Sequence, residues 1–293
     1  MNDFKQIDNT LDRCSLFQQM QIWPLSSELD YNGWLRNFSK EELPIAKRIL
    51  NAFIYFPQPM INQMLISAVG YAGKVIKSIY SDWCHDDFKN RCWYSYVPGE
   101  HPNSSDSGFN FQRILKKSLS IPESRLLFFD DLVNKMRKEK DLIIILVDDF
   151  VGSGEQCINM WNQIEGTIHA NGHLVIYAPL VVNCKGEEEI RKICSDIYLT
   201  PAHFIGLEYN LFDKTCRCWD DEDSYQKGIS LITEKSRLIG IPMDDETNTS
   251  YYKGFFSQGL SLAFCHGAPD AILPIFYWQD NNWNPLINKT YHR

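Results

Sequence analysis

The sequence lacks the features of a secreted, membrane-spanning or nucleic-acid-coating protein. No stretch approaches the ~18 consecutive apolar residues of a membrane span. The opening Met1-Asn2-Asp3-Phe4-Lys5-Gln6 has neither the basic leader nor the apolar run of a secretory signal. Nine cysteines, at 14, 84, 92, 157, 184, 194, 216, 218 and 265, are odd in number, irregularly spaced and without a C-x-x-C pair. That pattern indicates no disulfide framework, and neither Cys84-His85-Asp86-Asp87 nor Cys216-Arg217-Cys218 has zinc spacing. These absences predict a cytoplasmic protein with reduced thiols and no membrane partner. Positive charge is also short: 29 Lys and Arg stand against 37 Asp and Glu, a net charge of −8. Such a balance argues against unaided coating of nucleic acid, and the one basic run, Lys135 to Lys140, reads as a solvated helix end. No Walker A Gly-Lys-[Ser/Thr], internal repeat or low-complexity tract occurs.

What is present suits a folded enzyme-sized chain. The 293 residues are 44% apolar and 13% aromatic, enough for one large or two small domains with a proper core. Ser39 and Glu42 have capping-box spacing, and Ala46, Ile49, Leu50, Phe53 and Ile54 recur at helical period up to Pro57. A second helix is predicted from Pro59 to about Tyr80, and Trp34 and Phe38 are candidate core anchors. From about Arg91 the pattern becomes strands alternating with helices. Strands are predicted at Cys92–Val97, Leu142–Val147, His173–Val182, Asp196–Leu199, Phe204–Glu208 and Leu260–Cys265. Helices are predicted at Phe109–Leu119, Ser124–Arg137, Cys157–Gly166 and Glu187–Cys194. Pro98–Gly108 reads as a polar loop, and residues 212–250 as a charged, turn-rich insertion or lid. The expectation is a helical N-terminal region, 1–90, followed by an α/β domain, 91–293, with a doubly wound, mostly parallel sheet.

One segment carries the chemistry. Leu142 to Val147 is a run of large aliphatic residues, as a strand covered on both faces requires. It leads into Asp148 and Asp149, then Phe150-Val151-Gly152-Ser153-Gly154-Glu155-Gln156, then a helical pattern. Ligands bind at the carboxyl ends of strands in open α/β sheets, which is where this places the acids. Glycines allow backbone N–H groups to turn toward an anion, and the helix start adds its positive end, so the loop reads as a phosphate cradle. Two carboxylates beside a cradle suit a sugar, whose vicinal hydroxyls donate to them. His266, following the strand Leu260–Cys265, would reach the same edge if that strand ran parallel to Leu142–Val147, and there serve as a base or ligand contact; a simple strand-end cap is the structural alternative.

This segment resembles the phosphoribosyltransferases, whose signature is an aliphatic strand, two acids, three residues, then a small hydroxyl residue and glycine. The resemblance implies that Asp148 and Asp149 hold the ribose 2′- and 3′-hydroxyls and that Gly152 to Gln156 wrap the 5-phosphate. Gln156 stands where threonine is common, and Glu155 where the residue is often small. The pyrophosphate loop of such enzymes falls at Pro98–Gly108, which offers only His101 in place of a basic residue. Trp34, Phe38, the Asp148–Gln156 loop, His266 to Pro274 and Trp278 further resemble a phosphoribosyltransferase-like group of bacterial conflict and anti-phage systems, some of them retron-associated. Asp270 and Ala271 occupy the places of that group's asparagine pair. The resemblance implies an antiviral effector or accessory protein that binds ribose 5-phosphate, phosphoribosyl pyrophosphate (PRPP) or a nucleotide. It further implies Mg²⁺ where PRPP chemistry is retained, with catalytic Asp148, Asp149 and His266, and a protein or ribonucleoprotein partner such as a reverse transcriptase. Two alternatives stand beside it. One is a catalytically degenerate, nucleotide-binding regulatory subunit. The other is a Rossmann-type methyltransferase, whose cofactor loop Asp149–Gly154 also resembles, although no acid follows the next strand and no Pro-Pro occurs.

Overall fold

The computed structural model describes residues 10–99, 107–243, 251–280 and 282–288. The chain divides into two compact units, the first made of residues 1–58 with 206–293 and the second of residues 59–205. Its first unit begins with helices α1 (Thr10–Gln19), α2 (Tyr31–Leu35) and α3 (Leu43–Asn51), then strand β1 (Ile54–Phe56). The capping box forms as read: Ser39 N–H donates to Glu42 Oε2 (2.7 Å) and Glu42 N–H to Ser39 Oγ (3.4 Å). Phe53 and Ile54 lie outside the helix, which stops at Asn51; Ile54-Tyr55-Phe56 are good strand formers that find a partner strand and end at Pro57. Trp34 is fully buried against Phe38 (ring centroids 4.8 Å), with its indole N–H on the Ile275 carbonyl (3.1 Å).

The second unit runs through α4 (Gln58–Ile79), α5 (Asp87–Asn90), β2 (Cys92–Tyr96), α6 (Ser107–Ser118), α7 (Phe129–Lys138), β3 (Ile143–Val151), α8 (Glu155–Asn171), β4 (Leu174–Asn183), α9 (Cys184–Ile193), β5 (Ile197–Leu199) and β6 (His203–Ile205). Its sheet has the order β2-β3-β4-β5, with β6 also on β4, and every pairing is parallel. β5 and β6 flank the same edge of β4, interrupted at Thr200-Pro201-Ala202 opposite Pro179, which has no N–H to give the ladder. Ser124–Arg137 is not one helix. Leu126 bridges to Tyr94 and Leu127 N–H donates to the Tyr94 carbonyl, so the chain is extended there and α7 starts only at Phe129. Lys135, Arg137 and Lys138 form the last turn of α7, as the basic run suggested.

Side-chain alternation splits the sheet's apolar residues between two faces. Ile144, Leu146, Val175 and Tyr177 pack with Leu132 and Met136 of α7, Trp161 and Ile164 of α8, and Ile190 of α9. Ile145, Val147 and Ile176 point the other way and are equally buried; α6, with Phe111 and Leu115 buried, packs on β2 and β3. β3 is therefore interior in the sheet and covered on both faces.

The rest of the chain belongs to the first unit and contains α10 (Glu222–Leu238) and β7 (Leu262–Phe264). Residues 212–250 are not merely turn-rich. Asp221 and Ser224 form a capping box, and Ser224, Gly228, Leu231, Ile232 and Ser236 make a buried stripe on α10. Gly228 sits directly under the Trp219 ring, where a Cβ would lie 2.1 Å from it. β7 pairs in parallel with β1, as a sheet of its own. Leu260–Cys265 is thus no strand of the main sheet, a correction to the sequence reading. No helix among the described residues is long and apolar enough to cross a membrane.

Candidate functional site

β3 carries the acids further into the sheet than a strand ending at Val147 would. Pairing with β4 continues through Asp148↔Pro179, Phe150↔Val181 and Val151↔Val182. Adjacent residues of a strand face opposite sides, so the two acids have different surroundings. Asp148 points to the α8–α9 face and is buried, 7% exposed. Its Oδ2 accepts the Tyr177 hydroxyl at 2.6 Å, and its Oδ1 accepts the Asp149 N–H at 2.9 Å. Burial, and then the neighbouring Asp149 charge, push the Asp148 carboxyl well above the usual carboxylate range, against the pull of the Tyr177 hydrogen bond. Tyr177 is likewise pushed up by burial and by Asp148, so it remains a donor. Asp149 is half-buried, and its Oδ1 accepts the Phe150 N–H at 2.8 Å.

The loop that follows is built on close backbone approach. Gly154 caps α8 at φ +87°, a left-handed conformation that favours glycine, and the helix start has no side-chain cap. Ser153 Oγ accepts the Glu155 N–H at 3.3 Å. Glu155 and Gln156 are exposed, so the Glu155 charge stands in solvent, while Gly152 and Ser153 are half-buried. Against the loop lies the first turn of α9, capped by Asn183, whose Oδ1 accepts the Lys185 N–H at 3.0 Å. A Cβ at Gly186 would fall 2.7 Å from the Gly152 carbonyl oxygen and 2.8 Å from Val151 Cγ1. One at Gly154 would meet the Gly186 carbonyl at 3.1 Å. Two glycine-bearing backbones thus meet here, each leaving the other no room for a side chain. Below them Cys157 and Cys194 are free and buried, with the Cys157 thiol held up by its hydrogen bond to Cys194 and by burial.

The arrangement offers an anion-accepting helix start, a compact glycine loop and one half-buried carboxylate beside it. Among the described residues no three of His, Cys, Asp and Glu gather as a metal cage. Mg²⁺ needs none, because it keeps waters and is held by one or two carboxylates with substrate phosphates; Asp149 fits that use. His266 lies in the first unit, its ring stacked on Phe264 (centroids 5.4 Å, 23°). Because β7 pairs with β1, the shared-edge argument for His266 does not apply. Downstream of His266, Ala271 to Phe276 are buried, and the Asp270 carbonyl accepts the Phe255 N–H (2.8 Å). His101, Ser104, Ser105 and Asp106 of the Pro98–Gly108 loop fall outside the described residues, and α6 already begins at Ser107.

Sequence reading missed Tyr177 and Gly186. A signal for the first existed: a lone tyrosine in the otherwise aliphatic strand His173–Val182 needs a partner for its hydroxyl, and the buried neighbour strand supplies an acid. Gly186 carried none, since its role appears only when α9 meets the loop.

The family model described as PRTase-CE matches residues 31–289. No curated protein matches the chain.

Proposed function

Because the chain belongs to the PRTase-CE family of phosphoribosyltransferase-like proteins, we propose that its Asp148–Gln156 segment binds the ribose 5-phosphate part of PRPP or a nucleotide. The observation that carries this reading is the junction of Gly152–Gly154 with the uncapped start of α8, beside half-buried Asp149. A phosphate at the helix start would gain the macrodipole and backbone N–H groups. Ribose hydroxyls would then donate to the Asp149 carboxylate through charge-assisted bonds. Should PRPP be turned over, the anomeric carbon gains positive charge as pyrophosphate leaves, and a fixed carboxylate nearby favours that charge. Mg²⁺ would neutralise the leaving group, held by Asp149 and the substrate's own oxygens. The antiviral role, as effector or accessory to a ribonucleoprotein such as a reverse transcriptase complex, is supported by the resemblance of the loop and of His266 to Pro274. His266 belongs to this proposal through that resemblance alone.

A second reading, binding without turnover in a regulatory subunit, is favoured by Asp148. Both of its oxygens are already engaged and burial favours its neutral form, so Asp148 brings no ready carboxylate to the loop. Incubating purified protein with PRPP and Mg²⁺ separates the two. Pyrophosphate release with a candidate base supports the enzyme; saturable PRPP binding without release supports the regulatory subunit. No binding of PRPP, ribose 5-phosphate or nucleotide contradicts both.

A further inference from the structure

The first unit contains a polar cavity of about 410 Å³, well within the roughly 300–1,000 Å³ range of small-molecule sites. It uses none of the residues of the Asp148–Gln156 segment. Three arginines line it, Arg13 from α1, Arg48 from α3 and Arg217 from the segment before α10, against two acidic residues, Glu208 and Asp220. In a chain of net charge −8, a cavity with an excess of arginine is a local reversal of sign.

The three arginines are held differently. Arg48 pairs with Asp220 (2.6 Å), so that carboxylate is already used. Glu208 turns back over its own backbone: its Oε2 lies 2.3 Å from where a Gly206 Cβ would be. Arg217 is exposed, stacks on the Tyr209 ring at 5.1 Å and donates to the Tyr209 hydroxyl at 3.3 Å. Arg13 donates through Nη2 to Asn51 Oδ1, and Asn51 is in turn fixed by its bond to Thr10 Oγ1 (3.1 Å). Arg13 Nε is buried and has no hydrogen-bond partner. Buried donors are nearly always satisfied, and the side chain that carries this one lines the cavity.

We infer that this cavity binds the phosphoryl group of a small phosphorylated metabolite, with Arg13 and Arg217 as its donors and Arg48 as the supporting charge. Guanidinium forks match phosphate oxygens in pairs, and three forks around one cavity suit a multiply charged tetrahedral anion better than a single planar carboxylate. Tyr209 offers a ring against which an attached base or sugar could lie.

The test follows the arginine Nε–Hε resonances of the full ¹⁵N-labelled chain during titration with AMP, inorganic phosphate and adenosine. Both Arg13 and Arg217 signals should shift saturably with AMP and with phosphate and stay still with adenosine. Tighter binding of AMP than of phosphate identifies a nucleotide as the source; equal binding identifies free phosphate. Arg217→Gln should weaken AMP binding read at Arg13 by about tenfold or more, since one charge-assisted bond is lost. Arg217 is exposed, so the variant should melt within a few degrees of the parent; Arg48→Gln provides the same readout should Arg217→Gln fail to fold. These resonances report on the first unit, so binding at the Asp148–Gln156 segment alone leaves them unchanged. Signals that do not move at millimolar AMP and phosphate would overturn the inference. So would adenosine binding as well as AMP, or unchanged affinity in the variants.

Discussion

The Tyr177 hydroxyl donates to Asp148 Oδ2 across 2.6 Å, joining the middle of β4 to the first acid of the β3 pair within the core. The two acids that look equivalent in sequence are therefore unequal. Asp148 is part of the packing under α8, and Asp149 is the one at the loop. Tyr177→Phe removes the donor while keeping the ring. With a buried acceptor left under-satisfied, the expected loss is about 1–3 kcal/mol in urea unfolding, with an unchanged m-value. A loss below about 0.5 kcal/mol would mean that the bond contributes nothing to the fold.

Asp148 also predicts a pH dependence. Its folded-state affinity for a proton is raised by burial, so the stability tied to it is fully present below the unfolded carboxylate pKa of about 3.9 and is lost as pH rises through the folded value. Asp148→Asn cannot titrate. The stability difference between parent and variant should thus favour the parent most near pH 4 and shrink as pH rises. A difference that grows with pH would mean that the carboxylate is stabilised as an anion, contrary to its surroundings.

Gly186→Ala tests the contact between α9 and the loop. The new methyl would sit 2.7 Å from the Gly152 carbonyl oxygen, a backbone atom that cannot swing away. Overpacking of this kind costs about 1–3 kcal/mol, and relief requires α9 or the loop to move. Lower thermal stability together with weaker ribose 5-phosphate binding is the expected pair of results. Normal binding at reduced stability would separate the loop's shape from the proposed ligand site.

Much of this was legible in the sequence where local signals and burial agree. The aliphatic run before Asp148 gave an interior strand because a residue covered on both faces has no reason to alternate. Gly154 marked the turn because its conformation suits no other residue well. Elsewhere the signals lay in tertiary partners. Ile54 continues a helical period, yet β7 offers it a ladder. The buried stripe of α10 uses Ser224, Gly228 and Ser236, small or polar residues that hide its period, and its reason is the Trp219 ring pressed on Gly228. Leu260–Cys265 is largely apolar, and nothing local states which strand it joins. The lone Tyr177 signals an acid partner, but which of the two acids it engages follows only from the register that sets it opposite Leu146, two residues before Asp148.

We propose that Asp149 and the following loop hold a ribose phosphate. Isothermal titration calorimetry with ribose 5-phosphate, on the parent and on Asp149→Asn, tests it most directly. Asp149 is half-buried and sits outside the Asp148–Tyr177 bond, so the variant should keep its fold. Hydrogen bonds to a charged acceptor are worth about 1.5–3 kcal/mol each, which predicts at least a tenfold rise in Kd with the melting temperature little changed. Equal affinity in the two proteins, or no binding to either, would contradict the account.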